Sequence, residues 1–382
     1  MVDFIRSVLK WLAALWVASF LFFILGIVFL SMMVGAFSTG LQFKPAKTEV
    51  KSGVILVIDL DMNLADSPAQ DDPLSQVSRS LGGEMDMTIA LREALVGLDR
   101  VKKDDRIRGV LLVGHWNAKG YGTSLATLQE FRSKLLEVKE AGKPIMAYLD
   151  SDGLAELYTK SVADQLWMNP YGQLDFKGLG TETIYWGGAF DRFGVGVQLI
   201  RAGKYKSAGE SFVATEMSPE NREQLSVLLG DLWLDLREEL SASLEIDVEG
   251  LSALADLGVI LPEELLNKGV VDELLYMDEM LERVTAVGKV DPLNHSFQQV
   301  SFVDYLAAGV SGSGLHLNSG GANEVAVVYA EGVIVEGEGM LGYIGGDALA
   351  RKLRSIRSDD SVKAVVLRVN SPGGSATASE KI

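Results

Sequence analysis

Residues 107–149 read IRGVLLVGHWNAKGYGTSLATLQEFRSKLLEVKEAGKPIMAYL, and this stretch decides the fold class. Ile107–Val113 is apolar apart from Arg108 near its start and is typical of a buried strand, and Ile145–Leu149 is a second apolar run. Leu125–Ala141 lies between them with helical periodicity and ends at Gly142, a regular stop signal. Two strands joined by a crossover helix pair in parallel, so the pattern predicts an α/β layer fold.

The chain on either side of this stretch continues the pattern. Val54–Leu60 is a strand by its β-branched residues, and Thr88–Val101 is helical by the spacing of its apolar residues. Ser218 precedes a proline and a glutamate, which is a helix start signal. Leucines then recur every three or four residues as far as Leu240. This stripe fits subunit assembly, although packing within the chain is the commoner explanation.

An uncharged segment near the N-terminus predicts a membrane anchor. Trp11–Phe37 has no charged residue over 27 positions, enough for the roughly 30 Å of a bilayer core. We therefore expect a short head at 1–10, a transmembrane helix at 11–37 and a polar connector at 38–52. Basic residues flank the segment on both sides, so charge alone does not fix its orientation.

Composition excludes several classes of function. The formal net charge is −17, so a nucleic-acid partner is not expected. The chain has no cysteine, which removes thiol nucleophiles, disulfides and thiolate metal sites. Its three histidines are far apart and have no metal-ligand spacing. We accordingly expect neither a cofactor nor a metal.

The stretch GVGVQLIRAGKYKSAGESF, residues 194–212, carries the candidate base. Val195, Val197 and Leu199 alternate with small or polar residues, which predicts a strand. A lysine delivered by a buried strand loses solvation, and this lowers its pKa and makes it a general base for a serine hydroxyl. The alternative is that Lys204 and Lys206 are two solvated charges on a loop, as most lysines are.

An internal repeat divides the chain after the anchor. Residues 104–113 and 359–368 share, in the same order, two acids, an apolar residue, a base, a small residue and a strand. Such self-similarity indicates a duplicated module. The boundaries predicted are a first copy at 53–308, a Gly/Ser-rich linker at 309–323 and an incomplete second copy at 324–382.

Three motifs give the chain a family resemblance. They are GKYKSAGESF (203–212), MSPENRE (217–223) and VLRVNSPGGSATASE (366–380). Together they resemble the long, duplicated form of signal peptide peptidase A, the protease IV group of peptidase family S49. The resemblance implies a membrane-anchored serine/lysine endopeptidase with a crotonase-like (Clp-type) α/β fold in each repeat. It also implies degradation of hydrophobic signal peptides, a homotetramer, and a bacterial inner-membrane location with the body in the periplasm.

The same resemblance assigns site residues. Lys206 matches the lysine of the family motif and is expected to act as general base, whereas Lys204 is given no role. Gly373 and Gly374 match the Gly-Gly whose backbone N–H groups stabilise an oxyanion, although the same residues also suit a plain strand-to-helix turn. Ser211 stands where the family commonly has proline. The family's nucleophilic serine falls beyond residue 382, so the sequence predicts a truncated chain that is inactive alone.

Two other functions remain open from the sequence. Crotonase-type folds also serve acyl-CoA hydratases and isomerases, although the anchor and Lys206 argue against that chemistry. A non-catalytic membrane scaffold or assembly subunit is the third possibility, because the chain supplies a base without its nucleophile.

Overall fold

A computed structural model describes residues 11, 16, 19–20, 22–27, 50–67, 87–292, 296–310, 323–340 and 342–382. The chain divides into two units, 1–49 and 50–382. Most of the predicted anchor and connector, and residues 311–322 of the predicted linker, lie outside the described residues. Residues 22–27 are helical and exposed. No helix among the described residues combines the length and the apolar character needed to span a bilayer.

The second unit alternates strands and helices through most of its length. In chain order its elements are β1 (Val54–Asp59), β2 (Asn63–Ala65), β3 (Thr88–Ala90), α1 (Leu91–Val101), β4 (Ile107–Val113), α2 (Leu125–Glu140), β5 (Ile145–Gly153), α3 (Leu154–Lys160), β6 (Gln165–Phe176), α4 (Gly187–Phe193), α5 (Glu210–Val213), α6 (Pro219–Leu244), α7 (Val248–Ala255), β7 (Gly258–Ile260), α8 (Pro262–Asn267), β8 (Glu273–Leu274), α9 (Met277–Val287), β9 (Gln299–Ser301), α10 (Phe302–Val310), β10 (Glu324–Glu331), β11 (Val333–Val335), β12 (Tyr343–Gly345), α11 (Gly346–Arg357), β13 (Val362–Asn370) and α12 (Ala376–Lys381).

The main sheet confirms the predicted mixed α/β class. Within the described part of the chain it has seven strands in the order β7-β6-β5-β4-β1-β9, with β8 also paired to β6. All its pairs are parallel except β6 with β7. The sheet does not by itself distinguish a crotonase-like fold from other α/β folds, so the crotonase-like assignment stays a prediction.

The sheet is covered on both faces because successive strand residues point to opposite sides. In β1, Leu56 and Ile58 belong to a large cluster that includes Phe131 of α2, whereas Ile55 packs in a second cluster with Val284 of α9. Every one of these side chains is completely buried. Full burial of such a side chain stabilises the fold by about 1.5–3 kcal/mol, so both helix layers hold the sheet in place.

The second strand pair repeats the first in detail. β10 pairs with β13 in parallel as β1 does with β4, and each ladder has a register shift after its first pair, at Val54/Ile55 and at Glu324/Val325. In both segments a short parallel pair follows, β2 with β3 and β11 with β12. A helix then leads into the next long strand. The residues 54–113 and 324–370 therefore follow one structural plan.

The predicted strand at Val195–Leu199 is wrong. The segment has irregular backbone, and no described strand pairs with it. Val195, Val197 and Leu199 are 37–48% exposed, and Ile200 is 97% exposed. The alternation has the period of a strand, but a strand also needs a neighbouring strand for its backbone N–H and C=O groups, and no described strand lies beside this segment.

The leucine stripe of α6 is buried in the second half of the helix and exposed in part of the first half. Leu236 and Leu240 are buried in the main core, so this half packs within the chain. Leu228 is 54% exposed, and Val227 beside it is 58% exposed. Packing inside the chain accounts for the second half of the stripe only.

Candidate active site

The Lys206 loop is fastened to the first turns of α6 by the residues around the lysine. Lys204 Nζ lies 3.2 Å from Glu220 Oε1. The Tyr205 hydroxyl donates to Glu223 Oε2 at 2.8 Å, and Gln224 Nε2 donates to Ser207 Oγ at 3.1 Å. Three contacts within the first two turns of α6 therefore fix the course of the loop along one helix.

The helix that holds this loop starts where the sequence predicts. Ser218 has extended backbone and its Oγ accepts from the Asn221 N–H, which satisfies one free donor of the first turn. The buried Glu210 accepts from the Ser218 N–H at 3.0 Å through Oε1. This contact joins the short helix α5, directly after Lys206, to the start of α6.

Lys206 itself is exposed, and no described residue forms a hydrogen bond or an ion pair with its ammonium. The desolvation expected from a buried strand is therefore absent in the single chain, because that strand is not formed. The neighbouring Lys204 is neutralised by Glu220. In the single chain Lys206 is an exposed side chain on a loop, as the alternative interpretation of the sequence has it, and its role as general base stays a prediction.

The Gly373–Gly374 turn connects β13 to α12 and is built against β11. Gly373 accepts from the Ile334 N–H at 2.9 Å, and the Ser375 N–H donates to the Ile334 carbonyl at 2.9 Å. An ideal Cβ on Gly374 would lie 2.1 Å from that same carbonyl oxygen. Gly373 has a φ of +100°, which side chains rarely adopt. Glycine is thus required at both positions by the turn itself.

The serines around this turn are all engaged. Ser371 Oγ accepts from the Gly373 N–H at 3.1 Å. Ser375 Oγ accepts from the Ala378 N–H at the start of α12 and donates to Glu336 at 2.6 Å. Ser379 Oγ donates to the Ser375 carbonyl. These contacts give each hydroxyl a structural role.

Lys206 and the glycine pair lie on different segments of the second unit. Lys206 precedes α6 in the first copy, and the turn follows β13 in the second. Among the described residues, no hydrogen bond or ion pair joins the Lys206 loop to the Gly373–Gly374 turn. The predicted base, Lys206, and the predicted oxyanion site, Gly373–Gly374, are therefore not hydrogen-bonded to each other in the described part of the chain.

A buried charge cluster lies at the carboxyl end of β5 and was not predicted from the sequence. Lys160 Nζ lies 2.5 Å from Asp152 Oδ1, and both residues are at most 2% exposed. Burial raises the pKa of the Asp152 carboxyl, and the Lys160 ammonium opposes that effect. His115 Nε2 lies 3.9 Å from the same carboxylate. The two buried residues are eight positions apart across a strand-to-helix turn, a spacing with no sequence signature.

The loop after β4 is locked onto α3 beside this cluster. Glu156 accepts from the Trp116 N–H at 2.9 Å and from the Gly153 N–H at 3.0 Å. Trp116 also donates its indole N–H to Thr159 at 3.0 Å. By the strand register, Trp116 stands where Ser371 stands in the second copy. The loop that follows the strand is therefore bound to α3 in the first copy and forms the glycine turn against β11 in the second.

The comparisons with known proteins agree with the motif assignment. Residues 137–291 match the family model described as peptidase family S49. The chain is 30% identical to protease 4 of Salmonella typhi, over 86% of this chain and 53% of that protein. It is 31% identical to protease 4 of Haemophilus influenzae, over 94% of this chain and 58% of that protein. A chloroplast protein of Arabidopsis thaliana named serine protease SPPA is 31% identical over 80% of this chain and 44% of that protein.

Similar solved structures include a membrane-bound stomatin-specific protease, as its serine-to-alanine mutant. It has a TM-score of 0.30 and 10% identity, and covers 66% of this chain and 94% of that one. An enoyl-CoA hydratase/isomerase from Marinobacter aquaeolei has a TM-score of 0.31 and 12% identity, and covers 70% of this chain and 81% of that one. Scores of this size carry no argument.

The motifs and the sequence matches define the class: the chain belongs to peptidase family S49. Within that family it is a member of the protease IV (signal peptide peptidase A) group. The chain spans about half the length of the bacterial relatives it matches.

Proposed function

We propose that this chain is the lysine-bearing part of a membrane-anchored serine/lysine endopeptidase that degrades hydrophobic signal peptides. One observation carries the proposal: Lys206 stands at the lysine of the family motif, in a loop whose residues Lys204, Tyr205 and Ser207 are all bound to α6. The side chains on either side of Lys206 are held by α6, so Lys206 is the residue of this loop whose amine is available to a substrate or a serine hydroxyl. The family membership of the chain supplies the reaction class.

In this mechanism Lys206 acts as the general base. Its neutral amine takes the proton of a serine hydroxyl, the serine oxygen attacks the peptide carbonyl, and the resulting ammonium protonates the leaving amine. Water then hydrolyses the acyl-enzyme, with the same lysine as base. The backbone N–H groups of the Gly373–Gly374 turn are proposed to stabilise the oxyanion formed at each step, which requires the Gly373 N–H to exchange Ser371 Oγ for the substrate. We assign the nucleophile to none of Ser371, Ser375 and Ser379, because their hydroxyls hold the turn and α12 together.

The proposed mechanism requires Lys206 to lose solvent in the assembled protein. A general base has to be neutral, and transfer out of water disfavours the charged form of an amine. The segment before it exposes Phe193, Val195, Val197, Leu199 and Ile200. We propose that other copies of the chain cover this apolar surface in a homo-oligomer, of which a tetramer is the expected form. The same proposal places residues 11–37 in the inner membrane and the body in the periplasm.

The test compares Lys206→Ala with the matched control Lys204→Ala. The chain alone is expected to cleave no peptide, because none of its described serines is assigned as the nucleophile. In an assembly that supplies the nucleophile, cleavage of a fluorogenic apolar peptide is expected to be lost in the first variant and kept in the second. Equal activity of the two variants would contradict the proposal. If the wild-type chain shows no cleavage, amine labelling of the assembled protein decides. Lys206 is then expected to react faster than Lys204 at pH 7, and equal rates would favour the non-catalytic scaffold.

A further inference from the structure

Arg368 of β13 connects the second copy to two acids of the first. Its Nη2 lies 2.7 Å from Asp66 Oδ1, and its Nη1 lies 2.5 Å from Glu130 Oε1. Asp66 follows β2 and is 6% exposed, and Glu130 belongs to α2. A guanidinium fork that divides its two ends between two carboxylates fixes direction as well as distance, which a single exposed ion pair does not.

Two further contacts join the same end of the strand pair to the first copy. Glu331 Oε2 accepts from the Ser67 N–H at 2.8 Å and from the Ser67 hydroxyl. Asn370 Nδ2 donates to the Tyr121 carbonyl at 2.8 Å. By contrast, the side chains of Val325, Val365 and Val369 along the strand pair are about half exposed or more. The anchorage to the first copy is thus polar and lies at the carboxyl end of β10 and β13.

The glycine turn begins directly after this anchorage. Arg368 and Asn370 are followed by Ser371, whose hydroxyl accepts from the Gly373 N–H. The two glycines are then held by β11 through Ile334. The turn is therefore held by Ile334 within its own copy, and the strand that precedes it is held by contacts with the first copy. Among those contacts, Arg368 supplies the two ion pairs.

We propose that Arg368 is a positioning residue that sets the Gly373–Gly374 turn relative to the copy that bears Lys206. Asp66 and Glu130 are its partners, and Asn370 transmits the position to the turn. The catalytic consequence rests on the proposed function, because the turn matters to the reaction only if its N–H groups meet the substrate. The structural consequence, an ordered turn, does not depend on any reaction.

Hydrogen exchange of the full chain, followed by mass spectrometry, tests the structural consequence. The variants are Arg368→Gln, Arg368→Lys and the control Arg351→Gln, which removes an arginine from an exposed ion pair of the same copy. We expect Arg368→Gln to raise exchange about tenfold in peptides covering 370–375 and to leave 343–357 unchanged. Arg368→Lys keeps the charge without the fork and is expected to fall between wild type and Arg368→Gln.

A merely stabilising salt bridge predicts a different result. Exchange would then rise uniformly over the second copy, or Arg368→Gln would match Arg351→Gln, and either outcome overturns the proposal. If Arg368→Gln does not fold, Arg368→Lys and Asp66→Asn supply the same comparison against Arg351→Gln. The two proposals can fail separately. If exchange rises only in peptides 370–375 of Arg368→Gln while Lys206→Ala and Lys204→Ala are equally active, the proposed function is contradicted and the positioning role of Arg368 stands.

Discussion

The Lys160 ammonium lies 2.5 Å from the Asp152 carboxylate, with both side chains shielded from solvent at the end of β5. Asp152 also accepts from the Asp150 N–H, so its second oxygen is satisfied by the backbone. Burial raises the pKa of Asp152, which means that taking this carboxylate out of water costs free energy even beside the lysine. The pair is tolerated because each charge compensates the other.

Removing one member of this pair leaves the other as an isolated buried charge. We expect Asp152→Asn and Lys160→Met each to lower the free energy of unfolding by about 3–5 kcal/mol. The double variant is expected to cost much less than the sum, because no charge remains buried. Urea unfolding measures all three. Asp175→Asn, which breaks an exposed pair with Lys177, is the control, with an expected cost of about 1 kcal/mol or less. Additive losses would contradict this account.

Stability at acid pH is expected to depend on Asp104. Arg106 donates to it three times, twice from its side chain and once from its backbone N–H, and Tyr305 donates once. The side-chain hydrogen bond from Arg106 is the largest cause that lowers the pKa of the Asp104 carboxyl. The unfolded chain therefore takes up this proton first as pH falls. The stabilisation is present above about pH 4, the ordinary range of an aspartate, and is lost as pH falls through the lower folded-state pKa.

Asp104→Asn is accordingly expected to be less stable than wild type at pH 6 and to approach wild type below pH 3. Thermal unfolding over that pH range measures the effect. Asp105→Asn removes a neighbouring exposed charge and controls for net charge. A constant difference between Asp104→Asn and wild type at every pH would show that Asp104 does not act through its ionisation.

The start of α6 gives a third prediction, because it holds the loop that presents Lys206. Ser218→Ala removes the acceptor for the Asn221 N–H and is expected to cost about 1 kcal/mol. Ser218→Asp keeps an acceptor and is expected to restore most of the loss. Urea unfolding measures both variants. A loss in Ser218→Asp equal to that in Ser218→Ala would indicate that the cap bond contributes nothing.

Local signals in the sequence were sufficient for much of this fold. The runs at Ile107–Val113 and Ile145–Leu149 are central strands, since a strand buried on both faces is largely apolar. Arg108, the charged residue of the first run, is exposed. Ser218 and Ser375 both cap helices as their sequence contexts indicate. The match between 104–113 and 359–368 corresponds to two parallel ladders with the same register shift.

Features that depend on distant parts of the chain were not predictable. The Val195–Leu199 alternation lacks only a partner strand, and a partner is not encoded in the segment itself. Asp152 meets Lys160 because β5 turns into α3, so their proximity follows from the fold and has no motif. The link from Arg368 to Asp66 crosses 302 positions of sequence and depends on how the second copy packs against the first.

The glycine turn gives the last prediction, because its two glycines are required for different reasons. A methyl group on Gly374 would lie 2.1 Å from the Ile334 carbonyl oxygen and 2.7 Å from the Ile334 nitrogen, so β11 or the turn has to move. A methyl group on Gly373 meets nothing within 4 Å, and its cost is backbone strain at a φ of +100°, about 1–3 kcal/mol. Gly374→Ala is therefore expected to break the hydrogen bond from the Ser375 N–H to Ile334, whereas Gly373→Ala keeps it. Hydrogen exchange at Ser375 distinguishes the two variants, and protection retained in Gly374→Ala would contradict the close approach on which the turn depends.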